Sequence, residues 1–86
     1  MYSVYFAQSL RNQKVYVGCT RKEPQDRVKE HNQKSNEFTS RNGPFKLIYY
    51  EKYHCYQDAL SREKFYKMGF GKQIKKVIIQ ILNKDS

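Results

Sequence analysis

The stretch YSVYFAQSLRNQKVYVGCT, Tyr2–Thr20, decides the fold. Tyr2, Val4 and Phe6 alternate with Ser3, Tyr5 and Ala7, and further on Val15, Val17 and Cys19 alternate with Tyr16, Gly18 and Thr20. Alternation with period two predicts two strands, Tyr2–Gln8 and Lys14–Thr20, with the polar segment Ser9–Gln13 closing them into a hairpin. Successive side chains of a strand point to opposite faces, so Val4 and Phe6 share one face while Tyr5 and Tyr16 emerge on the other. Tyrosine is also a good strand former with an apolar ring and a wet tip, so placement alone favours plain packing.

Pro24 fits the first residue of a helix running to about Gln33, because its missing N–H would have no partner there anyway. Val28 is the only aliphatic residue of that segment, so no broad apolar stripe holds the helix and its other face is free for chemistry. Arg27 and His31 are four residues apart and share a face. A guanidinium there can clamp a phosphate, and an imidazole can orient water or pass a proton. Pairing of Arg27 with Glu23 or Glu30 on a solvated surface fits the same spacing.

The Ser, Asn, Thr, Gly and Pro of Lys34–Pro44, ending in Asn42-Gly43-Pro44, predict a loop. Phe45–Tyr53 returns to strand composition, with Leu47 and Tyr49 on one side and Ile48 and Tyr50 on the other, as in a central strand covered twice. From Tyr56 to Met68 the spacing is helical, and Glu63 falls three residues after Leu60 and four after Ala59, on the inward face. A carboxylate there wants a cation or a metal; magnesium can be held by one carboxylate together with a substrate phosphate. A salt bridge to Lys or Arg satisfies it equally well. Gly69 and Gly71 are expected to break the helix. Ile74, Val77, Ile78, Ile81 and Leu82 then define a packing stripe, with Lys72, Lys75, Lys76 and Gln80 on a basic outer face.

With 86 residues, 38% of them hydrophobic and 15% aromatic, the chain suits one small domain over residues 1–86. Seventeen Lys and Arg against eight acids leave a net charge of +9, spread from Arg11 to Lys84. A basic surface of this kind draws in a polyanion and releases counterions on binding, although lysine-rich chains are also basic for solubility alone. No run is long and apolar enough for a membrane helix and no leader pattern opens the chain, so a cytoplasmic protein is expected, with no membrane partner. Two cysteines are too few for a disulfide framework. Cys19, His31, His54 and Cys55 lack the paired spacing of a zinc site; His54-Cys55 instead marks the end of a strand and the start of a helix.

These segments resemble the small stand-alone GIY-YIG nuclease family. Ser3-Val4-Tyr5 stands where the family has GIY, and Val15-Tyr16-Val17-Gly18 where it has YIG. Arg27-Val28-Lys29-Glu30-His31-Asn32, Phe45–Tyr50 and Ala59-Leu60-Ser61-Arg62-Glu63-Lys64 follow in family order. Each triplet alone is a weak signal; the ordered set is specific. The resemblance implies an α/β (α+β) fold, a three-stranded antiparallel sheet flanked by helices. It implies hydrolysis of nucleic-acid phosphodiesters, with DNA the expected substrate and Mg²⁺ or Mn²⁺ as cofactor. By it Tyr5 is the general base or water-positioning phenol, Tyr16 its hydrogen-bonding neighbour, Arg27 the clamp on transition-state charge, His31 an aid in proton transfer and Glu63 the metal ligand. The basic residues Lys14, Arg21, Lys22, Lys64, Lys67 and Lys72 are expected to meet the nucleic acid. A non-catalytic nucleic-acid-binding module keeping the same fold is the alternative. The chain departs from the pattern at Ser3 and Val4, at Val17, and by one extra residue between Tyr16 and Arg27 relative to some relatives. Cys19 stands where several relatives carry a lysine beside the tyrosine, with Lys14 and Arg21 the substitutes that suggest themselves.

Overall fold

The computed structural model describes residues 1–33 and 41–84. Strand β1 (Tyr2–Ser9) is followed by β2 (Val15–Thr20), helix α1 (Pro24–Gln33), β3 (Phe45–Tyr53), α2 (Tyr56–Tyr66) and α3 (Gly69–Lys84). The strands form an antiparallel sheet in the order β2-β1-β3. β1 is therefore the central strand and is buried along nearly its whole length. β3, expected at the centre, is an edge strand, because only β1 pairs on both sides.

The hairpin turn is organised by one hydroxyl. Ser9 Oγ accepts the backbone N–H groups of Arg11 (3.1 Å) and Asn12 (3.2 Å), while Ser9 N–H donates to the Lys14 carbonyl (2.8 Å) and Gln13 takes a left-handed φ of 66°. Such local bonds from serine give the chain an alternative to continued strand pairing.

Alternation along β1 sorts the interior into two layers. Val4 and Phe6 pack with Ala59 and Tyr66 of α2, supported by Ile74, Ile78 and Ile79 of α3. Tyr5 and Ala7 pack on the other face with Val28 of α1 and Phe45. A bulge breaks the pairing register between Phe6 and Ala7, which face Tyr49 and Leu47 respectively. The extra residue, Ile48, puts Leu47 in the α1 layer and Tyr49 in the other, where strict alternation predicts that they share a face.

α1 is held at few points. Pro24 and Val28 are its buried residues, and Asn32 both donates to the Phe45 carbonyl and accepts the Phe45 N–H, each at 2.8 Å. One amide thereby ties the end of α1 to the start of β3, a pair of bonds contributing about 1–3 kcal/mol. The loop expected over Lys34–Pro44 lies, for residues 34–40, outside the described residues; Asn42 anchors its far end by accepting Ser9 Oγ at its backbone carbonyl.

The last third corrects the expected pattern twice. Gly71 does not break the chain's helicity but sits inside α3, where a Cβ would collide with the Phe65 carbonyl, so α3 can close onto the end of α2 only at glycine. Gly69, the first residue of α3, carries the positive φ of 41° at the junction. The packing stripe is also rotated from the expected one. Ile79 joins the core, whereas Val77 and Ile81 are 49% and 55% exposed. Lys75, expected on the outer face, instead reaches the Val15 carbonyl of β2.

On the α2 side of β3, Glu51 accepts hydrogen bonds from the phenols of Tyr49 (2.6 Å), Tyr53 (2.6 Å) and the fully buried Tyr66, and from Arg62 Nε (3.1 Å). Burial pushes the Glu51 carboxyl up, but these four donors outweigh it and hold it below the usual carboxylate range. The donors respond in turn: burial and the bond to Glu51 push Tyr53 up to about 12. A Glu51→Ala change leaves three phenols and a guanidinium without their common acceptor, for an expected loss of about 3 kcal/mol, read as a fall in Tm. Because the carboxyl is depressed in the folded state, its contribution is complete above its unfolded value and is lost as pH falls through the folded one. The wild type should therefore weaken on acidification over that window more steeply than Glu51→Ala; parallel profiles would show that the cluster contributes nothing. Among the described residues no helix is long and apolar enough to cross a membrane.

Candidate active site

Tyr5 is central to the site because β1 carries it onto the α1 face and β2 leaves room for its ring. Gly18 lies directly across the β1–β2 ladder from Tyr5. A Cβ at position 18 would come within 2.5 Å of both Cζ and Oη of Tyr5. The phenol thus lies across the edge strand through a gap that only glycine provides, 6% exposed but with its hydroxyl end at a cleft.

That cleft has a volume of about 340 Å³ and is lined by Tyr5, Tyr16, Arg27, His31 and Glu63, with Gly18 and Cys19 between them. The strand alternation delivers the two tyrosines, the four-residue spacing on α1 delivers Arg27 and His31 together, and α2 brings Glu63 in beside β2. All five residues singled out in the sequence share this one space.

The charges around Tyr5 oppose one another. Burial pushes its phenol above the ordinary tyrosine value, Arg27 pulls it down by charge and by a hydrogen bond, and Glu63 pushes it up again, with burial prevailing. Tyr5 therefore carries its proton at neutral pH. Arg27 also reaches Glu30, Nη1 to Oε1 at 3.3 Å, the surface pairing that the spacing allowed; Glu30 in addition accepts Lys22. That second bond, with the charges of both cations, outweighs burial and keeps the partly exposed Glu30 carboxyl low, so the guanidinium stands between an acid and the phenol.

Tyr16 shares the cleft lining with Tyr5. Its hydroxyl donates to Asn42 Oδ1 (3.1 Å), and its ring meets Phe45 edge-on at 5.5 Å. Asn42 also accepts Asn12 Nδ2 at 3.2 Å, so the segment after residue 40 braces both the hairpin turn and the cleft wall. Neither Asn42 nor Asn32 stood out as a supporting residue. Asn42 reads as turn chemistry and Asn32 as a helix end, and only pairing across about a dozen or more residues gives them these partners.

Glu63 is largely buried and bonds Lys67 Nζ at 3.1 Å. Cys19 stands beside it: burial first, and then the Glu63 charge, push its thiol up and keep it neutral. Neither Lys14 nor Arg21 lines the cleft, and Arg21 lies over the Tyr2 ring at 5.9 Å. The cation acting on Tyr5 is Arg27. Lys22, Lys64, Lys67 and Lys72 also lie outside the cleft lining, Lys22 in its pair with Glu30.

Among the described residues no group of three His, Cys, Asp or Glu gathers as a metal cage. One carboxylate in a cleft suits a hard, oxygen-seeking cation that keeps waters and shares a substrate phosphate, rather than zinc. No curated protein and no solved structure matches the chain. The model of the GIY-YIG catalytic domain matches residues 1–76, spanning every element that builds the cleft, and the chain belongs to this family of nucleases.

Proposed function

We propose that the protein is a metal-dependent endonuclease that hydrolyses nucleic-acid phosphodiesters, with DNA as its polymer. The observation that carries this reading is the meeting of Tyr5, Tyr16, Arg27, His31 and Glu63 in one cleft. A phosphate has room there beside a braced guanidinium, a phenol and an imidazole, which are the groups needed to hold its oxygens and to manage water and protons.

In this reading the Arg27 fork binds the non-bridging oxygens and answers the charge that grows as water attacks phosphorus. Tyr5 orients the attacking water or takes its proton: burial raises its phenol while Arg27 lowers it, and a cation held at Glu63 would favour the phenolate. His31, one helical turn from Arg27, takes or relays the proton. Tyr16, braced on Asn42, holds the cleft wall in place. Glu63 would hold Mg²⁺ or Mn²⁺, which supplies Lewis-acid stabilisation of the phosphate when bound. Lys67 must then release the carboxylate at least in part.

The test is incubation with single-stranded, double-stranded, nicked and branched DNA, with Mg²⁺, Mn²⁺ or chelator. Cleavage is expected that needs the divalent ion, and Glu63→Gln should raise the metal concentration for half-maximal rate at least about tenfold. Binding to all of these substrates with cutting of none would overturn the reading and leave a basic nucleic-acid-binding module with a nuclease fold.

A further inference from the structure

Lys75 is not on the outer face where helical spacing puts it. Its ammonium is half-buried and donates to the carbonyl of Val15, the first residue of β2, at 3.0 Å. Burial first, then the charges of Lys72 and Lys67, hold this ammonium below the ordinary lysine value. Lys72 lies three residues before Lys75 on the same face of α3, and Lys67 stands at the end of α2 just before that helix. The only carboxylate within ion-pair distance of any of them among the described residues is Glu63, which pairs with Lys67 at the rim of the cleft.

Three neighbouring ammonium groups with a carboxylate partner for only one of them cost stability, and no packing requirement of the fold explains them, since Lys67 and Lys72 are exposed. An external polyanion offsets that cost. The placement matches such a partner. Lys75 sits at Val15 and Lys67 at Glu63, which lines the cleft together with Cys19, so the cluster follows β2 from its first residue towards its last. Four residues of strand cover about 13 Å. One strand of a duplex carries about four charges over that length.

We propose that Lys67, Lys72 and Lys75 form a phosphate-binding track along the β2 edge, which seats the nucleic-acid strand next to the phosphate in the cleft. This rests on the reading of the cleft as a nucleic-acid site, and it adds the direction in which the substrate leaves it. Lys75 is the fixed member, tethered by Val15, while Lys67 and Lys72 adapt.

The test is binding of the full chain to a fluorescent DNA duplex in chelator, followed across a salt series. Lys75→Met, which keeps the apolar stem, and Lys72→Ala should each lower the slope of log K against log salt by about 0.9. Lys75→Arg should restore it, and Lys46→Ala, on the far edge strand, should leave it unchanged. If Lys75→Met fails to fold, Lys72→Ala against Lys46→Ala decides. Unchanged slopes in the track variants, equal loss in Lys46→Ala, or no binding by the wild type would each overturn the track. A wild type that cuts DNA while the track variants keep its slope refutes the track alone. One that shows the expected slopes but cuts nothing refutes the nuclease reading alone.

Discussion

Tyr5→Phe is expected to slow DNA cleavage by about 10²–10⁴-fold, the range lost with a positioned proton-transfer or water-orienting group, while Tm stays nearly unchanged. The ring would remain packed among Ala7, Val28 and Phe45 and would still cross β2 through the gap at Gly18; only Oη disappears, and with it the group on which Arg27 acts. The apolar burial of the ring is kept, so activity and stability should separate. The pH profile adds a second reading. If the protonated phenol does the work, the wild-type rate falls as pH rises through the raised Tyr5 value; a rate that keeps climbing there would assign the work to the phenolate. Cleavage within a few-fold of wild type would remove Tyr5 from the chemistry, and a large fall in Tm would make it a core residue first.

Arg27→Ala is expected to cost about 10²–10³ in kcat, as removal of a preorganised charge at a developing oxyanion does. Arg27→Lys should recover only part, because an ammonium lacks the planar fork. Folding should suffer little, since Glu30 keeps Lys22 and an exposed ion pair contributes about 0–1 kcal/mol. A separate readout is the Tyr5 phenol. Arg27 is what pulls its pKa down, so the Ala variant should titrate Tyr5 at higher pH than the wild type, seen by NMR of labelled tyrosine. An unchanged Tyr5 titration, or a higher KM with kcat intact, would reduce Arg27 to a binding contact.

Much of the site was legible because its spacing is local. Period two in β1 and β2 assigns Tyr5 and Tyr16 to one face, and the four-residue step from Arg27 to His31 assigns them to one side of α1, whatever those elements later meet. Glu63 was placed inward by the same reasoning from Ala59 and Leu60. The misreadings share an opposite cause. Ile48 adds one residue to β3 opposite Phe6 and Ala7, and no periodicity within β3 announces a bulge defined by its partner. Val77 and Ile81 complete a faultless amphipathic stripe, yet both stay about half exposed, because periodicity within α3 does not say which part of the stripe the rest of the fold covers. Lys75 reads as a solvent-facing cation until the free carbonyl of an edge strand offers it a partner sixty residues away.

By itself the sequence determined the elements, the faces of their side chains and the ordered set of residues that identifies the family, because backbone geometry repeats every 2 or 3.6 residues regardless of surroundings. Tertiary structure decided that β1 is central, that Gly18 opens β2 to the Tyr5 phenol, that Asn32 and Asn42 brace the cleft and that Lys75 turns onto β2. Each of these depends on which donor, acceptor or void lies opposite, and that is fixed only when segments far apart in the chain pair and pack.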